Sequence, residues 1–243
     1  SFEKAGPYSD AQTMLKEVRY QQALVLLNEG SYRTAYEILD NLKGYKDVST
    51  IIDTTDELQK IKKGIEDREL NFTVGNFVQF GNYEQDGKES NGKEPIKWIV
   101  LERNDNEALL ISKYILDRHI FDDKENGWFR SVMRYWLNST FLNNAFSQNE
   151  QKIIVKNSNK DKIFLLDFWA IDKYFPTDQD RIAEGTKYVG SKSLAWWTDY
   201  GSHCITSDGT KQVLAFSRDN EGSCNLGVRP VVWIDVSLFP IEW

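Results

Sequence analysis

Apolar residues between Asp10 and Glu66 recur every three or four positions, with no proline and little glycine, which predicts helices. We expect the first helix to end at Gly30, because glycine readily takes the left-handed conformation that closes a helix. Ser31 is predicted to cap a second helix through its hydroxyl. The predicted buried side of the first helix is Met14, Val18, Ala23, Val25, Leu26 and Leu27. That of the second is Tyr32, Ala35, Tyr36, Ile38, Leu39 and Leu42.

The helical region carries a sign of internal repetition. The tripeptides Tyr-Ser-Asp at 8–10 and Tyr-Lys-Asp at 45–47 precede the first and third predicted helices, which gives a repeat length in the mid-thirties. Small and large residues alternate as in one tetratricopeptide hairpin, which the region resembles at Ala23, Gly30, Tyr32, Ala35 and Leu39. One hairpin offers little concave surface, so a spacer is favoured over a peptide-binding groove. The chain is expected to be a piece of a longer protein.

Near Asn71 the helical periodicity gives way to the alternating pattern of β-strands. We therefore predict two domains, a helical-repeat segment over 1–70 and a second domain over 71–243. The first predicted strands of the second domain form an antiparallel start and span Val78–Gly81, Ile96–Leu101 and Ala108–Ser112. Ser131 is expected to cap one or two helices that follow it, and Ile163–Leu166 to form a short buried strand.

The last fifty residues or so are predicted to form a meander of four strands. Asp208-Gly209 is a hairpin signal, because glycine takes the positive φ that such turns need. Pro230 withholds a backbone donor from the last predicted strand, so an edge or a bulge is expected there. The four predicted strands are Leu194–Trp197, His203–Thr206, Gln212–Phe216 and Gly227–Ile234.

Composition and charge exclude some classes of protein. With 40% hydrophobic and 13% aromatic residues, the 243-residue chain can bury a substantial core, so disorder is excluded. A net charge of -7 without a basic stripe argues against a nucleic-acid partner. No stretch is apolar for long enough to insert into a membrane, and the first residues lack the pattern of a signal peptide.

The second domain resembles a bacterial family, the domain of unknown function 6273, over about residues 75–235. The resemblance rests on Pro95–Leu101, Ala108–Lys113, Arg134–Asn138, Ile163–Leu166, Trp196-Trp197 and Gly227–Pro230, among others. The end of the domain is also similar to C-type-lectin-like and formylglycine-generating-enzyme-like domains. The implied fold class is therefore α+β, a short all-α repeat segment followed by a C-type-lectin-like domain of twisted antiparallel strands.

The same resemblance implies a setting. Members of the family are typical of Gram-positive gut bacteria and often follow helical repeats, so an extracellular or cell-surface location is expected. Many members place Leu-Arg after the Trp pair, whereas this chain has Thr198-Asp199. That departure puts in doubt any role tied to the arginine.

The Trp pair is the leading candidate binding site. Neighbouring strand residues point to opposite faces, so one ring is expected in the core and the other on the surface, where a sugar or an aromatic group can stack. Asp199, Arg218 and Asn220 are the predicted polar contacts of Trp196 and Trp197. The alternative is that all tryptophans are packing residues. Arg229 is expected to bridge to a buried acid such as Asp235.

The cysteines and the acidic clusters are the candidates for catalysis and metal binding. Cys204 and Cys224 are predicted to form a disulfide or to be two buried thiols, since their spacing does not match the copper-binding cysteines of formylglycine-generating enzymes. His203 and His119 have no apparent catalytic partner. No cofactor is predicted, and calcium is kept as the alternative at two acidic clusters. These clusters are Asp122-Asp123 with Glu125, and Asp178 with Asp180.

The sequence favours a non-catalytic recognition or scaffold module of a bacterial cell-envelope or secreted protein, with a carbohydrate or protein ligand. The first alternative is an enzyme with a formylglycine-generating-like fold, which polar residues around Cys204 would support. The second is a purely structural assembly part.

Overall fold

A computed structural model describes residues 6–121, 127–201, 203–214 and 225–239. The chain divides into two compact units, one containing the described residues up to Leu70 and the other running from Asn71 to Phe239. Helices and mainly antiparallel sheets are both present, so the predicted α+β class is confirmed. Among the described helices, none is both long and apolar enough to cross a membrane.

The first unit is entirely helical. Its four helices are α1 (Gly6–Asn28), α2 (Tyr32–Asp40), α3 (Val48–Thr54) and α4 (Asp56–Asn71), the last of which reaches the boundary between the units. The buried residues of its core are Tyr20, Ala23, Tyr36, Leu39, Leu42, Val48, Ile52, Leu58 and Ile61. Ala23 and Ala35 are fully buried, which allows α1 and α2 to lie close together.

The connection between α1 and α2 closes as predicted at Gly30, whose φ is +76°. The Gly30 and Ser31 backbone N–H groups donate to the carbonyl oxygens of Leu27 and Leu26, which satisfies the last turn of α1. The prediction for the Ser31 side chain was wrong, because its hydroxyl makes no capping bond. Ser31 begins α2 through its backbone carbonyl, which accepts from Ala35.

The predicted buried side of α1 is only partly correct. Ala23 is buried, but Met14, Val18 and Val25 are 70%, 64% and 54% exposed. Tyr20 is buried instead, and its hydroxyl donates to the Asp47 carboxylate over 2.6 Å. Periodicity identifies an apolar stripe, but whether a neighbouring element covers that stripe is a tertiary property.

The second unit is built on a six-stranded sheet, here called sheet 1. The strand order is β1-β2-β3-β11-β5, and β6 also pairs with β11. The bounds are β1 (Phe77–Tyr83), β2 (Glu94–Arg103), β3 (Glu107–Ser112), β5 (Ile154–Val155), β6 (Ile163–Phe164) and β11 (Val231–Asp235). All of these pairs are antiparallel, and the three predicted strands at the start of the domain are confirmed.

The helices of the second unit lie mostly between the strands of sheet 1 in the chain. Residues 132–145 are a continuous helical stretch composed of α5 (Val132–Trp136), a π-helical turn (Leu137–Phe141) and α6 (Leu142–Ala145). Ser131 caps it as predicted, since its Oγ accepts from the Arg134 N–H over 3.1 Å. Short helices α7 (Glu150–Ile153) and α8 (Asp178–Arg181) follow, with 3-10 turns at Glu89–Asn91, Trp128–Arg130, Ile171–Lys173 and Val236–Leu238.

A second, five-stranded sheet, sheet 2, has the order β4-β10-β7-β8-β9. Its strands are β4 (Asp117–Ile120), β7 (Trp196–Trp197), β8 (His203–Ile205), β9 (Lys211–Val213) and β10 (Asn225–Val228). The predicted hairpin turn is confirmed, with Gly209 at φ +87° between β8 and β9. The predicted meander is wrong, because β10 lies between β4 and β7 and its pairing with β7 is parallel.

The predicted final strand is in fact two strands in different sheets. β10 ends at Val228 and β11 begins at Val231, and the chain passes from sheet 2 to sheet 1 through Arg229 and Pro230. Pro230 therefore sits at neither an edge nor a bulge. Its missing N–H costs no ladder bond there, and its carbonyl accepts from the Ser112 N–H over 3.0 Å.

Two apolar clusters form in the second unit, and single strands contribute to both. The first contains Trp98, Leu110, Phe141, Trp197, Cys204 and Val232, among others. The second contains Leu109, Ile111, Ile115, Trp196, Ile205 and Val231, among others. Alternate residues of β3, β7, β8 and β11 thus enter opposite clusters, as the period-two geometry of a strand requires.

Arg229 is buried between these elements, and no carboxylate of the described residues pairs with it. Its Nε and Nη2 donate to the Ser112 carbonyl over 3.1 and 3.0 Å, so the predicted bridge to Asp235 is wrong. Asp235 instead accepts from the Ser237 N–H and hydroxyl. Burial lowers the pKa of Arg229 to about 9, since removal from water penalises the charged form.

Candidate functional site

An open cleft of about 440 Å³ in the second unit lies against the face of sheet 1 that carries Leu109 and Trp233. We call it the Trp233 cleft. Its lining comes from β3, β6, β11 and the segments around 128, 157–159, 165–174 and 199. Residues far apart in sequence therefore meet at one surface, which is the arrangement typical of ligand sites.

The floor of the cleft is apolar and partly aromatic. Trp233 pairs across the ladder with Leu109, and Phe164 pairs with Val231 of the same strand. Trp233 and Phe164 are only partly buried, so their rings remain accessible. Trp128 and Tyr174 add two further aromatic walls.

One polar rim is the turn that presents Asn157, Ser158 and Asn159. Asp161, which is 3% exposed, fixes this turn by accepting from the Trp128 Nε1 over 2.9 Å and from the Arg134 Nε over 2.7 Å. Since the carboxylate is buried and paired with a charged donor, the turn is held in one conformation.

Asn138 anchors the other end of the same loop. Its Oδ1 accepts from the Lys162 and Ile163 N–H groups over 2.8 and 3.2 Å, and its Nδ2 donates to the Ile163 carbonyl over 2.8 Å. Arg134 and Asn138 lie one helical turn apart on the 132–145 helix. That helix therefore positions both the rim turn and β6.

The opposite rim carries two aspartates. The Asp199 N–H donates to the Leu166 carbonyl over 3.1 Å, and the Asp199 Oδ1 accepts from the Phe168 N–H over 3.2 Å. These reciprocal bonds fasten the end of β7 to the 166–168 segment. Asp167 Oδ1 accepts from the N–H groups of Trp169 and Ala170 over 2.6 and 2.8 Å, which starts the turn that follows.

The two aspartates are electrostatically coupled. Burial and, as the second cause, the nearby Asp167 charge together raise the pKa of Asp199 to about 6. Burial and the same Asp167 charge also raise the pKa of Tyr174, whose hydroxyl donates to Glu102 over 2.7 Å. The rim is therefore a region of negative potential above an aromatic floor.

Exposed aromatic side chains stand next to this acidic rim. Trp169 and Tyr200 are 67% and 52% exposed, and the His203 ring lies between them with centroid distances of 5.9 and 5.2 Å. In the sequence, Trp169 follows Asp167 by two residues and Tyr200 directly follows Asp199. A ligand that fills the cleft can therefore extend onto a second aromatic surface.

Both rings of the predicted Trp pair are buried. Trp196 is 0% exposed in the second cluster and Trp197 is 2% exposed in the first. The rings do point in opposite directions, but core covers both faces of β7, so the expectation of an exposed ring is wrong. Each indole N–H is satisfied by a backbone carbonyl, Arg181 for Trp196 and His119 for Trp197.

The remaining predicted site residues divide into three groups. Asp199 lies in the cleft, whereas Arg218, Asn220 and Cys224 fall outside the described residues. Cys204 is 1% exposed among the apolar residues of the first cluster. The disulfide between Cys204 and Cys224 therefore stays a prediction.

Of the two acidic clusters predicted as alternative calcium sites, one lies outside the described residues and the other has protein partners. Asp122, Asp123 and Glu125 are outside the described residues. Asp178 pairs with Arg181, and Asp180 accepts from the Thr177 hydroxyl, which lowers its pKa. Both side chains thus stabilise the start of α8.

Another group of carboxylates has the spacing of a cation site. The side chains of Glu84, Asp86 and Glu94 each bring an oxygen within 4.8 Å of the others. These carboxylates accept from loop N–H groups at Gln85, Gly87 and Lys88, so they shape the 84–94 loop. We assign no metal to them.

Sequence reasoning missed the floor and most of the rim of the cleft. The sequence places Trp233 in the predicted strand Gly227–Ile234 but does not show which face of the sheet its ring lies on. The Asp167-Phe-Trp-Ala segment carried one local signal, since an aspartate often accepts from the N–H two residues on and thereby forms a turn. No local pattern indicated that Asn157 and Asp199 would share a cleft.

Comparison with known proteins gives one match. The model of the family described as "Domain of unknown function (DUF6273)" matches residues 105–167. This stretch includes Arg134, Asn138 and Asp161, which build the rim turn, and it ends at Asp167. Neither the curated proteins nor the solved structures gave a match. The chain is thus similar over residues 105–167 to a family whose name assigns no function.

Proposed function

We propose that the second unit is a non-catalytic recognition module that binds a carbohydrate in the Trp233 cleft. The observation that carries the proposal is an accessible aromatic floor, at Trp233 and Phe164, bordered by amide and carboxylate rims. The C–H face of a sugar ring packs on aromatic side chains, while its hydroxyls donate to and accept from Asn and Asp oxygens.

The cleft suits recognition because its walls are fixed before a ligand arrives. The Arg134–Asp161 pair and the Asn138 bonds hold one rim, and the reciprocal Asp199 bonds hold the other. A preformed site avoids the cost of ordering side chains on binding. The exposed Trp169 next to the rim supports a ligand of more than one sugar unit.

Finer features of the architecture belong to the same proposal. A C-type-lectin-like fold of the second unit is supported by the position of Gly227 and Val228 in β10, which pairs with both β4 and β7 in sheet 2. A tetratricopeptide-like spacer is supported by the complete burial of Ala23 in α1 and Ala35 in α2. The family resemblance suggests display at a bacterial cell surface.

The test is binding of the full chain to an array of glycans and bacterial cell-wall fragments, with calcium and with a chelator. We expect binding that Trp233→Leu abolishes and Trp169→Ala weakens. Tyr135→Ala is the matched control, since Tyr135 is 77% exposed and does not line the cleft. Near-ultraviolet circular dichroism must show that each variant is folded.

Two results would contradict the proposal. If the chain bound none of the glycans or cell-wall fragments on the array, the carbohydrate assignment would be wrong and a protein partner would be favoured. Release of new reducing ends from a bound glycan, lost in Asp199→Asn, would replace recognition by hydrolysis.

A further inference from the structure

Each of the two aspartates in the Trp233 cleft uses only one carboxylate oxygen for hydrogen bonds within the protein. In both Asp167 and Asp199, backbone N–H groups occupy Oδ1. Within the described residues, neither Oδ2 has a hydrogen-bond or ion-pair partner. An ionised carboxylate can accept about four hydrogen bonds, so both residues keep acceptor capacity.

The basic side chains around this rim are engaged elsewhere. Lys173 pairs with Glu102, Lys211 with Asp172, and Arg134 with Asp161. Lys162 donates to the Gln151 carbonyl. Across the part of the chain that the structure describes, no Lys or Arg forms an ion pair with Asp167 or Asp199.

Asp167 and Asp199 line the same cleft, and the Asp199 Oδ1 accepts from the N–H of Phe168, the neighbour of Asp167. Their negative charges repel each other, and neither has an ion-pair partner among the described residues. The raised pKa of Asp199 has burial as its first cause and the Asp167 charge as its second. A ligand that brings positive charge to this rim therefore removes an unfavourable interaction in addition to making its own contacts.

We propose that the Trp233 cleft selects saccharides that carry a free primary ammonium group, which the Oδ2 atoms of Asp167 and Asp199 bind. This inference rests on the proposed function and adds the charge class of the ligand. An ammonium has three donors and no acceptor, which matches two free carboxylate oxygens. Charge-assisted bonds of this kind are about twice as strong as neutral ones.

The aromatic floor and the acidic rim act on different parts of such a ligand. The apolar face of the amino sugar packs on Trp233, while the ammonium lies at the rim. A calcium ion fits the same oxygens less well, because it requires about six to eight oxygen ligands. Calcium is therefore the competing occupant in the test.

The experiment compares two ligands that have the same sugar backbone and differ in N-acetylation, and therefore in charge. A β-linked glucosamine hexasaccharide and its fully N-acetylated counterpart are titrated into the full chain by calorimetry, near neutral pH and with a chelator. We expect the free amine to bind about tenfold more tightly, and Asp167→Asn and Asp199→Asn each to remove most of that difference. Added salt should lower the affinity of the amine ligand and leave that of the N-acetylated ligand unchanged.

Asp105→Asn is the matched control. Asp105 is an exposed turn residue outside the cleft, so its substitution removes the same charge without touching the rim. We expect it to leave both affinities unchanged. An equal loss in Asp105→Asn would show that net charge, rather than the rim, attracts the amine, and would overturn the inference.

Other outcomes separate this inference from the proposed function. Equal or tighter binding of the N-acetylated ligand, with Trp233→Leu still abolishing it, would overturn the ammonium assignment and keep carbohydrate recognition. Binding of either ligand that requires calcium would also overturn it. If neither hexasaccharide bound and no glycan on the array bound, both proposals would be overturned.

Discussion

The guanidinium carbon of Arg229 lies 4.9 Å from the centroid of the Trp196 ring, and both side chains are buried. The same guanidinium carbon lies 5.4 Å from the centroid of the Phe175 ring, and the Arg229 Nε donates to the Ser112 carbonyl. Its Nη1 has no hydrogen-bond partner within the described residues. A planar cation between two rings and a carbonyl thus joins sheet 2 to sheet 1.

Arg229→Lys should destabilise the protein although charge is kept. A lysine ammonium cannot lie flat on Trp196 and also donate twice to Ser112, so we expect a loss of about 2 kcal/mol. Urea unfolding measured by tryptophan fluorescence checks this value. Arg130→Lys, at an exposed position, is the control and should leave the midpoint unchanged. Equal stability of the two variants would show that the planar contacts contribute nothing.

Asp199→Asn should raise stability at neutral pH. Because the folded pKa of Asp199 is raised to about 6 from 3.8, the folded state binds more protons than the unfolded state between these values. The free energy of unfolding therefore falls as pH rises through this window. Asparagine keeps the Oδ1 acceptor for Phe168 and cannot ionise, so we expect a gain of about 1 kcal/mol after discounting for partial exposure.

Thermal unfolding at a series of pH values tests this second prediction. The difference between Asp199→Asn and the parent chain should vanish below the lower pKa and reach its maximum above the higher one. Asp105→Asn should track the parent at every pH. A difference that is constant across the series would mean that protonation of Asp199 is not its cause.

Gly209→Ala should be among the most disruptive single-methyl changes in the chain. A Cβ at Gly209 would overlap the backbone carbonyl of Asp178, and φ there is +87°. We expect a loss of about 3 kcal/mol from the overlap and the positive φ together. Gly87→Ala has φ +77° with open space around it, so about 1 kcal/mol is expected from conformation alone. Chemical denaturation measures the loss of stability in each variant. The difference between the two losses is the cost of the steric overlap at Gly209.

Ala23→Leu should separate α1 from α2. Ala23 is fully buried in the helical unit, so three added carbons force a shift that we expect to cost about 2 kcal/mol. Ala11→Leu, at an exposed position of the same helix, should be near neutral. Differential scanning calorimetry of the whole chain measures both. An unchanged transition in Ala23→Leu would show that the crossing has spare room.

Local rules predicted much of the fold. The alternation in β1 to β3, the Ser131 cap and the turn at Gly209 depend on neighbours within a few residues, so the sequence was sufficient for them. The same rules could not show that both faces of β7 are covered. They also could not divide β10 from β11, since no residue between Gly227 and Ile234 marks the change of sheet other than Pro230.

The candidate site was largely beyond sequence reasoning. Asp199 is a predicted polar contact of the Trp pair, and the structure places it in the cleft. Trp233, Asn157 and Asp167 reach the same cleft through three different loops or strands, and their meeting depends on how Arg134 and Asn138 fix the 157–163 loop. Such long-range placement leaves no periodic signal in the chain.

The passage of the chain from β10 to β11 has a dynamic consequence. Only Arg229 and Pro230 separate a strand paired inside sheet 2 from one paired inside sheet 1, so neither sheet can peel open while the other keeps its register. Amide hydrogens in β10 and β11 should therefore exchange with solvent in a single cooperative opening. Edge strand β9, which lacks that connection, is free to fray on its own.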